Sequence, residues 1–159
     1  MFPGYSLGET TQRIAAGVFE TVKEYSYGIQ FASFYMPGDF IPHVRMMDTG
    51  KQNSSLACLF GLPFVVIRKP KPIDTTTLNY NWQIWETNAF SLYTTETDAI
   101  DEVSARQAVA AVMRFLTRMG ILKYQSHNGY IATVIEEEEL VSVRTNGGGY
   151  LPAALPSRR

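Results

Sequence analysis

Two histidines, one cysteine and a run of four glutamates are the residues in this chain best suited to chemistry. His43 follows Pro42 in a polar stretch, and His127 precedes an Asn-Gly pair. Histidine changes charge near neutral pH, so it serves as a base or ligand once a partner stands beside it. His43 with Asp48, or His127 with a glutamate, would make such a pair; a His-rich metal face is absent. Cys58 lies among Leu56, Ala57, Leu59 and Phe60. A nucleophilic thiol needs a base and some exposure, so these neighbours point to a buried, structural thiol. A lone cysteine permits neither an internal disulfide nor a Cys-rich zinc site.

Glu136, Glu137, Glu138 and Glu139 could hold a cation or exchange protons. Consecutive residues alternate faces in a strand and splay in a turn, so a solvated acidic rim accounts for them better. Arg68-Lys69-Pro70-Lys71-Pro72 is a short basic spike on an extended path, suited to an acidic partner or to a solvated turn. Trp82 and Trp85, with Tyr80 and Tyr93, could stack bases or sugars. No basic groove accompanies them, so core or subunit-interface aromatics explain them better. No glycine-rich phosphate loop ends in Gly-Lys-Ser/Thr, and no helix follows Gly147–Gly149.

The 159 residues fit one domain with a real core. Charged residues are 18% of the chain, low enough, beside abundant aromatics, to suggest either surface that becomes buried against a partner or simply an aromatic-rich core. A net charge of −1 argues against a dedicated nucleic-acid binder, which needs a basic field. No run is long enough to cross a bilayer, and the opening residues lack a basic region followed by an apolar one. These features lead us to expect a protein kept in a reducing cytosol.

Helices and strands must position these groups. Residues 98–120 carry Val109, Val112, Met113, Leu116 and Met119 at amphipathic-helix spacing, with Thr97 or Asp98 to cap the start and Gly120 to end it. A first helix is expected from Leu7 or Glu9 to about Tyr25, opened by a Ser6/Glu9 capping box. Its face is Ile14, Val18, Val22 and Tyr25, and Gly17 suggests a close contact. Ile29–Met36 and the apolar run Leu56–Ile67 read as strands, and residues 40–55 as a long loop. Leu78, Tyr80, Trp82 and Ile84 alternate with polar residues, predicting a strand that continues through a bulge to Tyr93. Asn128-Gly129 predicts a hairpin between Ile121–Gln125 and Tyr130–Ile135, and Leu140–Thr145 a last strand. The fold class expected is α+β: an antiparallel or mixed sheet with both amphipathic helices on one face, an extended loop and a C-terminal arm. Residues 1–146 form the domain, and 147–159 a glycine-hinged arm.

The segments ETTQRIAAGVFETVKEY, LNYNWQIWETNAFSLYT and DEVSARQAVAAVMRFLTRMG, taken in order, resemble the neck and tail-completion proteins of tailed bacteriophages, of the tail-terminator type. The likeness runs over residues 9–145. It implies a non-enzymatic virion component, assembled in the host cytoplasm without cofactor or membrane. Subunits would form a ring, hexameric in the common case, among other virion proteins. Arg68, Lys69, Lys71, Trp82, Trp85, Tyr150 and Leu151 would then meet partners. Glu136–Glu139 would line an acidic lumen past which DNA slides unbound. The alternative is a small α+β ligand-binding domain or enzyme, with an aromatic pocket near Trp82, Trp85, His43 and Asp48.

Overall fold

The computed structural model describes residues 1–34, 38, 40–95, 101–125, 129–143 and 147. Helix α1 spans Thr10–Val22 and strand β1 Tyr27–Ala32. Strand β2 (His43–Met47) and the short helix α2 (Ser54–Ala57) follow. Next come β3 (Phe64–Arg68), α3 (Leu78–Ile84) and β4 (Asn88–Tyr93). Helix α4 (Glu102–Arg118) and β5 (Thr133–Glu136) complete the described elements.

The fold is α+β with a mixed five-stranded sheet in the order β1-β4-β2-β3-β5. β1 and β4 run parallel, as do β2, β3 and β5, and the two groups meet antiparallel where β2 pairs with β4. Successive residues of β4 serve opposite faces. Phe90 and Leu92 join Val44, Met46, Phe60, Val65, Ala111 and Phe115 in the main core, under α4. Ala89 joins Phe19 and Trp82 in a second core, under α1 and α3. The long helices therefore cover opposite faces, where the sequence suggested one.

Both long helices form near their predicted places, each rotated. In α4 the buried residues are Ser104, Ala108, Ala111 and Phe115, while Val109 is 58% exposed. The small residues let the helix lie close to the sheet, and Val112, Leu116 and Met119 flank that contact. Asp101 caps it by accepting from the Val103 and Ser104 N–H groups, whereas Thr97 and Asp98 lie outside the described residues. Gly120, at φ +74°, ends the helix as expected. In α1 the inward residues are Ala15 and Phe19, and Ile14 and Val18 face outward. Its cap pairs Glu9 with Gln12, whose side chain accepts from the Glu9 N–H at 3.3 Å, in place of Ser6 with Glu9.

The predicted strand from Leu78 to Tyr93 is instead a helix followed by a strand. Thr77 caps α3 by accepting from the Tyr80 N–H. Asn79, Asn81 and Gln83, the polar partners in that alternation, are buried with Trp82. Gln83 shows why: its amide accepts from the Met47 N–H at 3.0 Å and donates to the Met47 carbonyl at 2.9 Å, binding the end of β2 as a neighbouring strand would. Glu86, at φ +69°, turns the chain into β4.

The expected long loop contains β2, a central strand with His43, Val44, Met46 and Met47 buried. Coverage on both faces removes the alternation that marks a half-exposed strand. Leu56–Ile67 divides into α2, a 3₁₀ turn over Cys58–Phe60, and β3. Ile121–Gln125 is not a strand, and β5 pairs parallel with β3 instead of with that segment. His127 and Asn128 lie outside the described residues. Leu140–Val143 is not a strand, and Arg144, Thr145 and the arm residues 148–159 are likewise outside.

Candidate functional site

The sheet reverses direction between β4 and β2, and the carboxyl ends of β1 and β4 there meet the amino end of β2. Ala32 pairs with Tyr93, and Tyr93 with His43. Crevices outside the carboxyl ends of parallel strands, at a change in strand arrangement, are where open sheets bind ligands. At this position the His43 and Tyr93 rings stack with centroids 5.0 Å apart and planes 2° apart. Phe34 tilts against Tyr93 at 4.7 Å and stacks on Phe40 at 3.8 Å. The Arg45 guanidinium carbon lies 4.3 Å from the Tyr93 centroid and 5.1 Å from that of Phe34. A cation over two ring faces is held electrostatically by both. Arg45 Nη1 also donates to the Tyr93 hydroxyl at 3.4 Å.

His43 Nδ1 lies 2.8 Å from the Ile41 carbonyl oxygen. A carbonyl only accepts, so Nδ1 carries the proton and Nε2 presents a lone pair. That Nε2 is buried and has no protein partner. Burial lowers the His43 pKa, the bond to Ile41 opposes this, and the Arg45 charge lowers it further. The imidazole is therefore neutral at pH 7, with a free base nitrogen beside a cation. Arg45 Nε is likewise buried without a hydrogen-bond partner.

Ile41 and Pro42, just before His43, also line a half-open groove of about 700 Å³. Leu62, Arg106, Arg114 and Tyr130 contribute to the rest of its wall. Arg114 is held by donating from Nε to the Phe60 carbonyl at 2.9 Å. Burial and then the Arg118 charge lower its pKa. Among the described residues, no group of three or more His, Cys, Asp or Glu side chains is placed to hold a metal ion. No described helix is long and apolar enough to cross a membrane.

The sequence candidates fall elsewhere. His43 and Asp48 stand at opposite ends of β2, about 16 Å apart at strand rise, so they form no pair. Trp82 is in the second core with its Nε1 donating to the Val22 carbonyl at 3.2 Å. Trp85 sits edge-on to Phe19 at 5.2 Å and is 48% exposed. Both lie before β4, away from His43 at its far end, so the aromatic site is built from Phe34, Phe40 and Tyr93 and not from the tryptophans. Cys58 is partly buried against the main core.

The basic spike and the acidic run come together. Arg68 Nη2 is 3.4 Å from Asp74 and its Nε 3.5 Å from Glu137, within ion-pair range though without hydrogen-bond geometry at Nε. Lys71 pairs with Glu137 at 3.4 Å and Lys69 with Glu138. The bond to Glu138 raises the Lys69 pKa. Glu139 closes the turn after β5 by accepting from the Glu136 N–H at 2.9 Å. Tyr150 and Leu151 lie outside the described residues. Sequence reasoning missed Arg45 and grouped Tyr93 with the tryptophans; the available signal was His-x-Arg in an extended segment, which puts both side chains on one face.

No protein-family model matches the chain, and no curated protein matches it. Solved structures do. A succinylglutamate desuccinylase from Silicibacter sp. TM1040 superposes with a TM-score of 0.68 at 18% identity over 82% of this chain. The ectoine utilization protein EutE (DoeB) from Ruegeria pomeroyi, in a product-bound structure, gives 0.69 at 19% over 85%. A succinylglutamate desuccinylase/aspartoacylase from Rhodobacter sphaeroides gives 0.68 at 14% over 85%. The likeness is one of fold. The chain spans 42% of the length of each of these proteins.

This corrects the phage reading. The matched folds are those of proteins described as desuccinylases, an aspartoacylase and an ectoine utilization protein, and no tail-completion protein is among them. The expectations of a non-enzymatic virion protein and of a virion location fall with that resemblance. The shared order of helix, strands and helix misleads because it is only a pattern of elements. The strand directions that separate one fold from another are set by long-range pairing.

Proposed function

We propose that the chain belongs to the catalytic body of a hydrolase that cleaves the amide bond of an N-acylated amino acid. Water adds to the acyl carbon, the C–N bond breaks, and a carboxylate and a free amino acid leave. The observation that carries this reading is the fold shared with proteins described as succinylglutamate desuccinylases over more than four-fifths of the chain, at a TM-score of 0.68. The cluster at the sheet reversal suits such a substrate. Arg45 supplies a fixed cation and His43 a neutral nitrogen base.

The test is to incubate the protein with N-succinylglutamate and, separately, an N-acylaspartate, and to follow free amine and released acid. Equal amounts of amine and acid from either substrate are expected. Release of neither would overturn the reading.

A further inference from the structure

We propose that the groove between helix α4 and the segments entering β2 and β3 binds an aliphatic monocarboxylate, with its head on Arg114 and its tail running toward Val103. The proposal is independent of the amide-hydrolysis reading and uses neither His43 nor Arg45.

The groove has room for such a chain. Its volume is about 700 Å³, within the range of sites for small organic ligands. One wall is a stripe of α4 made of Val103, Gln107, Ala110 and Arg114. These residues recur at helical spacing on one side of the helix and span about 16 Å along its axis. The facing wall is Ile41, Pro42, Leu62 and Pro63, whose side chains carry no polar atom. A long apolar slot open to water gains most by covering a chain of methylenes.

The charge at one end selects the head group. Arg114 Nε donates to the Phe60 carbonyl at 2.9 Å. Gly61 and Gly129 let backbone close on the same side chain, since a Cβ on them would lie 2.8 Å and 2.9 Å, respectively, from that Nε. The guanidinium is thus fixed before a ligand arrives, and its two Nη groups keep their hydrogens for one. Among the described residues no carboxylate pairs with Arg114, whereas Glu102 takes Arg106 at 2.6 Å. Arg118 donates to the Leu59 carbonyl at 2.9 Å, and its charge disfavours the Arg114 cation. An anion at the Nη groups relieves that repulsion. At the other end Glu102 balances Arg106, so positive charge is concentrated at Arg114 and the head sits there. Two parallel N–H donors match the two oxygens of one carboxylate. A second carboxylate on the tail would lie unpaired against apolar walls, so the ligand carries a single one.

The probes are decanoate, decanol, hexanoate and decanedioate, titrated into the full chain by calorimetry. Wild-type protein should bind decanoate saturably, and roughly tenfold or more tightly than decanol, as expected for a charge-assisted contact. Hexanoate should bind about two- to fourfold more weakly for each methylene it lacks. Decanedioate should bind more weakly than decanoate. Arg114→Gln should abolish the preference for acid over alcohol, and Arg114→Lys should restore part of it. Ala110→Phe places a ring in the middle of the slot and should abolish binding, with urea unfolding to show that the variant folds. Equal affinity of wild-type protein for decanoate and decanol, indifference to chain length, or absence of saturable binding would overturn the proposal. These comparisons within wild-type protein need no variant to fold. Undiminished decanoate binding by folded Ala110→Phe would place the ligand elsewhere and overturn it as well.

Discussion

Gly28→Ala and Gly17→Ala should change stability in opposite directions, and the structure gives the size of each. A Cβ on Gly28 would lie 2.7 Å from Trp82 Cε3 and 2.9 Å from Cδ2 and Cζ3, against 3.4 Å for ordinary contact. The indole is 7% exposed and tied through Nε1 to the Val22 carbonyl, so it cannot retreat by about 0.7 Å without loosening the second core. Overpacking of this kind costs about 1–3 kcal/mol. Replacing a strand glycine returns about 0.5–1 kcal/mol of backbone entropy, which offsets only part of that. Gly17 lies on the exposed side of α1, and a methyl group there would meet nothing within 4 Å, so no close contact accounts for the glycine. Alanine there should stabilise by about 0.8–1 kcal/mol through helix propensity alone. Urea unfolding followed by far-UV circular dichroism should show a lower midpoint for Gly28→Ala and a higher one for Gly17→Ala, with unchanged slopes. In a Trp82→Leu background the Gly28→Ala penalty should shrink, because the clashing ring is gone. A Gly28→Ala midpoint at or above wild type, or a penalty that survives in the Trp82→Leu background, would refute this packing.

Phe115 stacks on Phe60 at 4.4 Å and meets Phe90 at 5.6 Å, so Phe115→Ala should cost about 3–5 kcal/mol in urea unfolding. Val109→Ala, on the outward face of α4, should stay within about 0.5 kcal/mol of wild type in the same measurement. Arg68→Ala strips the buried Asp74 of its ion pair and should cost about 1–3 kcal/mol, whereas Lys69→Ala, with both partners exposed, should leave the midpoint in place. Burial holds the His43 pKa below 6.5, so the unfolded chain binds a proton that the folded chain refuses. This contribution leaves stability flat above 6.5 and removes it as pH falls from there toward the folded pKa; unfolding midpoints across that window should fall less steeply in His43→Gln than in wild type.

The reversal in the sheet explains why chemistry collects where it does. Within a parallel pair such as β1 and β4, all carboxyl ends open on one side, and the loops leaving them must diverge. Where β2 enters antiparallel beside β4, its first residues fill that opening. His43 and Arg45 thus stand beside Tyr93 through strand pairing, on backbone held by the sheet and not on a free loop.

That arrangement was only half legible in the sequence. Local signals worked where local physics decided the outcome: a helix over Glu102–Arg118, though not its buried face, the left-handed stop at Gly120, and the α+β class itself. They failed where burial reversed the meaning of polarity. Asn79, Asn81 and Gln83 alternate with apolar residues like the wet face of a strand, yet they are buried, and Gln83 bonds to the backbone of β2. The same inversion concealed the site. A central strand that carries histidine and arginine on one face and valine and methionine on the other shows no simple alternation of exposure. His43–Met47 therefore read as loop, and the pairing of His43 with Tyr93 could not be inferred. Arg68, Lys69 and Lys71 teach the same point with charge: a basic spike read as a partner surface or a solvated turn, and an acidic run read as a rim, pair with each other through Glu137 and Glu138 within the chain. A charge cluster in sequence reports a surface for partners only after the fold has taken its share.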